Sequence, residues 1–185
     1  YLLLFLTLIL YYMVPKGKQW IALLIGSAVF YCLVSSDIKQ LCLFLATIIL
    51  SFLGALLIER SKEGKQRLFM LWAVIILTAA PLLLFKGRDF LPAPDTGRFS
   101  LIVPVGLSFY TLQIIAYLTD VYRKKIAAQR NLFKYALFIS FFPQIIQGPI
   151  PRYEQLGDQL FGGTRFRMEN IVRGSQRILW GLFLK

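Results

Sequence analysis

Six long uncharged, mostly apolar runs constrain this chain more than any motif does. They cover residues 1–15, 19–36, 40–58, 68–85, 99–119 and 135–151. Apolar runs of about 17–25 residues match the hydrocarbon thickness of a bilayer. A membrane β-barrel would instead alternate in segments of about ten residues, and these runs do not alternate. Charged residues make up 16% of the chain, against about a quarter in a soluble domain. The fold class expected is therefore all-α, a polytopic bundle of transmembrane helices.

The remaining charge is lopsided. There are 21 Lys and Arg against nine Asp and Glu, a formal net charge of +12. In a soluble protein that balance would raise nucleic acid as a partner. Here the cations sit in short loops between apolar runs, where they read as the positive-inside bias and as attraction to anionic lipid headgroups. The lipid bilayer is the partner expected, and no nucleic acid. The chain has no His, which excludes a His base or a His metal ligand within it. Cys32 and Cys42 have no partner at metal-ligand spacing and read as small core residues. No metal site is expected.

The punctuation between runs predicts spans at about 1–14, 19–35, 38–58, 68–85 and 99–119. Pro15, Gly17, Lys16 and Lys18 close the first. Trp20 opens the second at interfacial depth, and Asp37 is placed to cap the third. Residues 59–67, ERSKEGKQR, form the clearest cytoplasmic-loop candidate, and Pro81 is tolerable inside the fourth span. Alternation then puts the 15–18 loop and the basic linker 120–134 on that same side. Residues 135–151 break the pattern. The run is short, Pro143, Gly148, Pro149 and Pro151 interrupt it, and a crossing would carry Arg152, Arg165, Arg167, Arg173 and Arg177 to the wrong side. It is expected to be re-entrant. Residues 164–177 mix Arg with Phe166, Met168, Ile171 and Val172, which suits an interfacial amphipathic helix or a cytoplasmic helix laid on the bundle. The whole of 1–185 reads as one membrane domain, the N-terminal part of a longer protein.

Two clusters put polar or helix-breaking residues at membrane depth, where they persist mainly if buried in protein or lining a water-filled cavity. Gly106, Tyr110, Gln113, Tyr117 and Asp120 recur at helical spacing and share one face. Asp120 can pair with Arg123 or Lys124 one turn on. The plain alternative for this stripe is hydrogen-bonding glue between helices. The second cluster is Pro143, Gln144, Gln147, Gly148, Pro149 and Arg152, in which Pro143 frees a carbonyl one turn before it. Its plain alternative is a kinked helix whose Gln side chains satisfy the freed backbone. No Walker loop, GxSxG, CxxC or acidic metal cluster is present. Ser108 has no base beside it and is not a candidate nucleophile.

Three segments carry a family resemblance: PVGLSFYTLQIIAYLTDVYR at 104–123, QRNLFKYALFISFFPQIIQGPIPRYEQL at 129–156, and RILWGLFLK at 177–185. In this order and spacing they resemble the membrane-bound O-acyltransferases, in the bacterial branch of polysaccharide O-acetylation and D-alanyl transfer. The resemblance implies a many-helix bundle around a tunnel. It implies an acyl donor such as acetyl-CoA or an acyl carrier thioester on the cytoplasmic side, with no bound cofactor. It further implies an extracytoplasmic glycan acceptor, an extracytoplasmic acyltransferase as partner, and residence in the bacterial inner membrane. The family's catalytic His is expected beyond Lys185, so no catalytic residue is assigned here and the fragment alone is expected to be inactive. Tyr110, Gln113, Tyr117, Asp120, Arg123, Pro143, Gln144, Gln147, Gly148, Pro149 and Arg152 are its candidate tunnel wall. A membrane transporter or channel, which also uses broken polar helices, and a non-catalytic membrane scaffold remain the alternative readings.

Overall fold

The structure is a computed structural model that describes residues 2–35, 37–61, 64–87, 104–145, 150–164 and 166–184. Among these every regular element is a helix: α1 Leu2–Met13, α2 Gln19–Val34, α3 Ile38–Arg60, α4 Lys65–Gly87, α5 Leu107–Tyr122, α6 Leu132–Ser140, α7 Phe142–Ile145, α8 Tyr153–Phe161 and α9 Met168–Phe183. One 3₁₀ turn, Lys16–Lys18, leads into α2. The stretch Lys16–Val34 and helices α3 and α4, of 19, 23 and 23 residues, are long and apolar enough to cross a membrane.

Two expected spans are shorter in the structure. Residues 1–14 give α1, of 12 residues. Of the run 99–119, residues 99–103 lie outside the described residues, and α5 begins only at Leu107 and has 16 residues. Gly106 sets that start. It sits at φ 74, a conformation that favours glycine, and a Cβ there would lie 2.7 Å from the Ile145 carbonyl oxygen. The loop read as 59–67 is also shorter, because α3 runs to Arg60 and α4 resumes at Lys65. Pro81 lies inside α4.

The helix ends follow local chemistry. Asp37 accepts a hydrogen bond from the Lys39 amide at 3.2 Å and caps α3. Asn131 does the same for α6, accepting from Phe133 and Lys134 amides at 3.0 and 3.2 Å. Small residues permit close crossings. A Cβ on Gly54 would lie 2.5 Å from Val74 Cγ1, and one on Gly26 would lie 2.6 Å from Thr7 Oγ1, so the Val74 side chain of α4 packs onto the backbone of α3 and the Thr7 side chain of α1 onto that of α2.

The core lies where α3, α5 and α6 converge. Tyr110, Ile114, Leu118, Tyr135, Leu137 and Ile58 are fully buried there. Cys32 and Cys42 are not core residues among the described residues: both are exposed.

Long-range contacts sort the helix ends. Glu59 Oε1 accepts from the Ala128 amide at 3.0 Å. Arg67 Nη2 donates to the Val121 carbonyl at 3.0 Å. Lys134 Nζ stands over the Trp20 ring at 5.9 Å and the Phe161 ring at 5.1 Å. Gln19 pairs with the Thr164 backbone, donating at 3.1 Å and accepting at 2.9 Å. So the start of α2, the α3–α4 turn, the linker after α5, the start of α6, the end of α8 and residue 164 all share one end of the bundle. The opposite end carries the α2–α3 turn and Val105, whose carbonyl accepts from the Tyr31 hydroxyl at 3.4 Å.

Helix α9 starts at Met168 rather than at 164, because the backbone at Thr164 is committed to Gln19. It continues to Phe183 and is exposed along nearly all its length. Its Met168, Ile171, Ile178 and Phe183 side chains stand open.

Candidate functional site

After the linker the segment runs inward as α6 and α7, and at Ile145 it lies against Gly106 at the start of α5. Helix α6 has nine residues, about 14 Å at 1.5 Å per residue, roughly half the hydrocarbon thickness. The helix breaks at Phe141, whose ψ of 102 is not helical, and four more residues form α7. The Phe142 amide donates to Ser27 Oγ at 3.4 Å, and Ser27 lies midway along α2. By Tyr153 the chain is back at the end where it entered, for the Gln129 side-chain amide donates to the Tyr153 hydroxyl at 2.6 Å. A segment that crossed a bilayer would leave those residues about 30 Å apart.

A break in a helix orphans backbone groups, and buried ones need partners. The Phe138 carbonyl would have accepted from the Phe142 amide. It accepts instead from Gln113 Nε2 at 2.9 Å, while Ser27 takes the amide. Thus one polar side chain from α5 and one from α2 hold the broken helix open at mid-depth. Two of the freed backbone groups are thus met by Gln113 and Ser27.

The stripe on α5 points inward. Tyr110, Gln113 and Tyr117 are 0%, 2% and 2% exposed. Tyr117 sits in an aromatic cluster, its ring centroid 5.0 Å from Tyr135, 6.1 Å from Phe138 and 5.2 Å from Tyr153. Its hydroxyl accepts from the Gln129 amide at 2.8 Å. Tyr135 donates to Ser51 Oγ at 2.9 Å and so ties α6 to α3. Burial pushes the Tyr153 phenol above the usual tyrosine range, and its hydrogen bond from Gln129 draws it back part of the way. Tyr110 is different. Its ring meets Phe44 edge-on at 5.0 Å, but its buried hydroxyl has no partner among the described residues.

The other named residues are dispersed. Asp120 is half-buried at the end of α5, whose last residue is Tyr122, so Arg123 and Lys124 fall beyond the helix. Arg123, Pro143 and Arg152 are exposed and do not join the stripe. Gln144 is half-buried, and its Oε1, like the Tyr110 hydroxyl, is buried without a partner. Gln147, Gly148 and Pro149 lie outside the described residues. Tyr110, Gln113 and Tyr117 are packed against described neighbours. A groove of about 710 Å³ lies elsewhere, between α1 and α9, lined by Phe5, Ile9, Tyr12, Phe166, Ile171 and Ile178 among others. Among the described residues no group of three or more His, Cys, Asp or Glu could hold a metal ion.

Sequence reasoning missed Gln129, Ser27, Ser51, Tyr135 and Tyr153. Gln129 carried a signal, since it lies two residues before a helix-capping Asn in a polar linker. Its Oε1 accepts from the Arg130 and Asn131 amides at 2.9 and 3.2 Å, so its side chain fixes the entry of α6. Ser27 and Ser51 carried none, since a lone Ser in an apolar run usually bonds its own helix.

Among proteins of known sequence, the chain is 32% identical to a probable alginate O-acetylase of Azotobacter vinelandii, over all of this chain and 39% of that protein. It is 30% identical to a probable alginate O-acetylase of Pseudomonas aeruginosa, over all of this chain and 38% of that protein. A peptidoglycan O-acetyltransferase of Helicobacter pylori is 30% identical over 91% of this chain and 37% of its own length. The resemblance read from 104–123, 129–156 and 177–185 therefore holds along the chain, which spans less than two fifths of the relatives it matches. No family model matches it, and no solved structure does.

Proposed function

We infer that this chain is the bundle-forming part of a bacterial membrane O-acetyltransferase, which moves an acetyl group from a thioester donor on the cytoplasmic side to a hydroxyl of an extracytoplasmic polysaccharide. The single observation that carries the reading is the similarity along the whole chain to alginate and peptidoglycan O-acetylating proteins. The geometry supports it in kind. A helix held open at mid-depth beside two unpartnered buried polar atoms, Tyr110 Oη and Gln144 Oε1, is costly in an apolar setting. A substrate group or water passing that level would satisfy them.

The end that gathers Lys16, Lys18, Arg60, Lys65, Arg123, Lys125, Arg130 and Lys134 is the cytoplasmic face in this reading, by the bias of cations in short loops. The donor approaches there. Acetyl-CoA and an acyl carrier thioester both fit, since either presents its acyl group on a long flexible arm. The chain's own described residues act as wall and support: Gln113 and Ser27 keep the α6–α7 break open, and Gln129 locks both flanks of the dip to Tyr117 and Tyr153. An acyltransferase outside the membrane is the partner expected to complete delivery to the glycan.

Deleting the gene and assaying ester-linked acetate on the isolated cell-envelope polysaccharides tests the reading. Loss of acetate from one polysaccharide, restored by the full-length gene, is expected. Unchanged acetate with the polysaccharide itself missing from the cell surface would instead favour a transporter.

A further inference from the structure

Arg67 differs from the other cations at its end of the bundle. Arg60, Lys65, Arg123, Lys125 and Arg130 are exposed, whereas Arg67 is only 7% exposed. Its Nη2 donates to the Val121 carbonyl at the end of α5, and its guanidinium lies over the Tyr122 ring at 5.5 Å. Its Nε is buried and has no hydrogen-bond partner among the described residues. A buried guanidinium with an unmet N–H is expensive, because the desolvation is not recovered.

Arg67 also forms part of the wall of an open pocket of about 380 Å³, completed by Gly64, Lys65, Leu68 and Tyr122. That pocket lies at the start of α4. The first turn of α4 holds Lys65 and Arg67 and no acidic residue. Cations at a helix N-terminus oppose the helix dipole, and an anion there reverses the sign of the interaction. The unmet donor, the uncompensated first turn and the open pocket lie together, and each favours a compact anion.

We propose that this pocket binds a phosphate group, presented by an anionic phospholipid headgroup or by a soluble phosphate ester. Guanidinium matches phosphate in charge and in paired-donor geometry. The Tyr122 ring and the Val121 carbonyl fix the plane of that guanidinium before any ligand arrives. Lys65, on the exposed rim, supplies the second charge, and the first-turn amides of α4 supply neutral donors. The proposal goes beyond acetyl transfer and does not depend on it, since nothing in it involves the α6–α7 dip.

The test uses the full-length protein in nanodiscs of neutral phosphatidylcholine, with two probes. One is inorganic phosphate, titrated by calorimetry. The other is phosphatidylglycerol, exchanged into the disc and counted on the protein by native mass spectrometry. Wild-type protein is expected to take up at least one probe. Arg67→Met should weaken that uptake about tenfold, the loss of a charge-assisted hydrogen bond. Lys65→Gln should weaken it about threefold, as befits a partly screened charge. Because Arg67 also holds α4 to α5, Lys65→Gln, altered only at the exposed rim, keeps the test decisive if Arg67→Met does not fold. Uptake of phosphatidylglycerol alone identifies a lipid headgroup as the source, and uptake of both probes identifies a phosphate ester in general. The proposal is overturned if wild type takes up neither probe, or if folded variants bind as wild type does. It is equally overturned if binding appears only in Glu63→Gln, for then the chain's own carboxylate, four residues before Arg67, would be the anion.

Discussion

Gln113 shows how one polar side chain in an apolar helix can decide an architecture. Its amide replaces a backbone donor that the break at Phe141 removed from the Phe138 carbonyl. Gln113→Leu keeps the volume and deletes the donor. The variant should lose about 1–3 kcal/mol, the cost of a buried carbonyl left unsatisfied, with the lower part of that range more typical inside membranes. A lowered melting temperature of the detergent-purified protein would register it, and an unchanged one would show that α6 does not rely on this bond. The inward orientation of Gln113 was legible in the spacing Gly106, Tyr110, Gln113, Tyr117, because lipid contact would not retain Gln on an outer face. Its partner was not, since no periodicity reveals that position 113 meets a carbonyl 25 residues away. Cys32 and Cys42 went the other way. Small thiols in apolar runs read as core, yet at a bilayer the outside of a helix is apolar too, so composition cannot separate lipid-facing from buried.

At the scale of elements, the dip formed by α6 and α7 is the most consequential feature. Three prolines and a glycine, with a surplus of arginines after residue 151, raised it as an expectation in the sequence, and the Gln129–Tyr153 hydrogen bond brings the two flanks together. The exact ends of helices were less visible. Residue 164 was placed inside an amphipathic helix by its neighbours' pattern, but its backbone is hydrogen-bonded to the Gln19 side chain and lies outside the helix, and such long-range pairing leaves no local trace. The dip yields a direct topological prediction. In a background with Cys32 and Cys42 replaced by Ala, single cysteines at Lys125→Cys and Glu154→Cys, both exposed positions, should react with an impermeant maleimide from one side of the membrane. Lys39→Cys, exposed at the opposite end, should react from the other. Labelling of positions 125 and 154 from opposite sides would mean that 135–151 crosses after all.

Over the described residues, three long apolar helices and a buried polar centre describe a bundle built for a membrane, with Arg67 and Lys134 held at one end and Lys39 at the other. Along its length the chain is similar to alginate and peptidoglycan O-acetylating proteins. The described residues contribute supports rather than reacting groups: hydrogen bonds that prop a broken helix, aromatic rings that lock its flanks, and a buried arginine at the charged end. The membrane class and the acyltransferase resemblance were legible because apolar run length and the two polar clusters survive as local strings. The hydrogen-bond partners that make the clusters work come from α2, α3 and the linker, and they emerge only when the helices are brought together. The most direct measurement is sided acetyl transfer in sealed membrane vesicles that carry the full-length protein and its polysaccharide. With radiolabelled acetyl thioester supplied only at the cytoplasmic face, label should appear as ester-linked acetate on polysaccharide at the other face. Label that stays on the donor while the polysaccharide itself crosses the membrane would contradict the account.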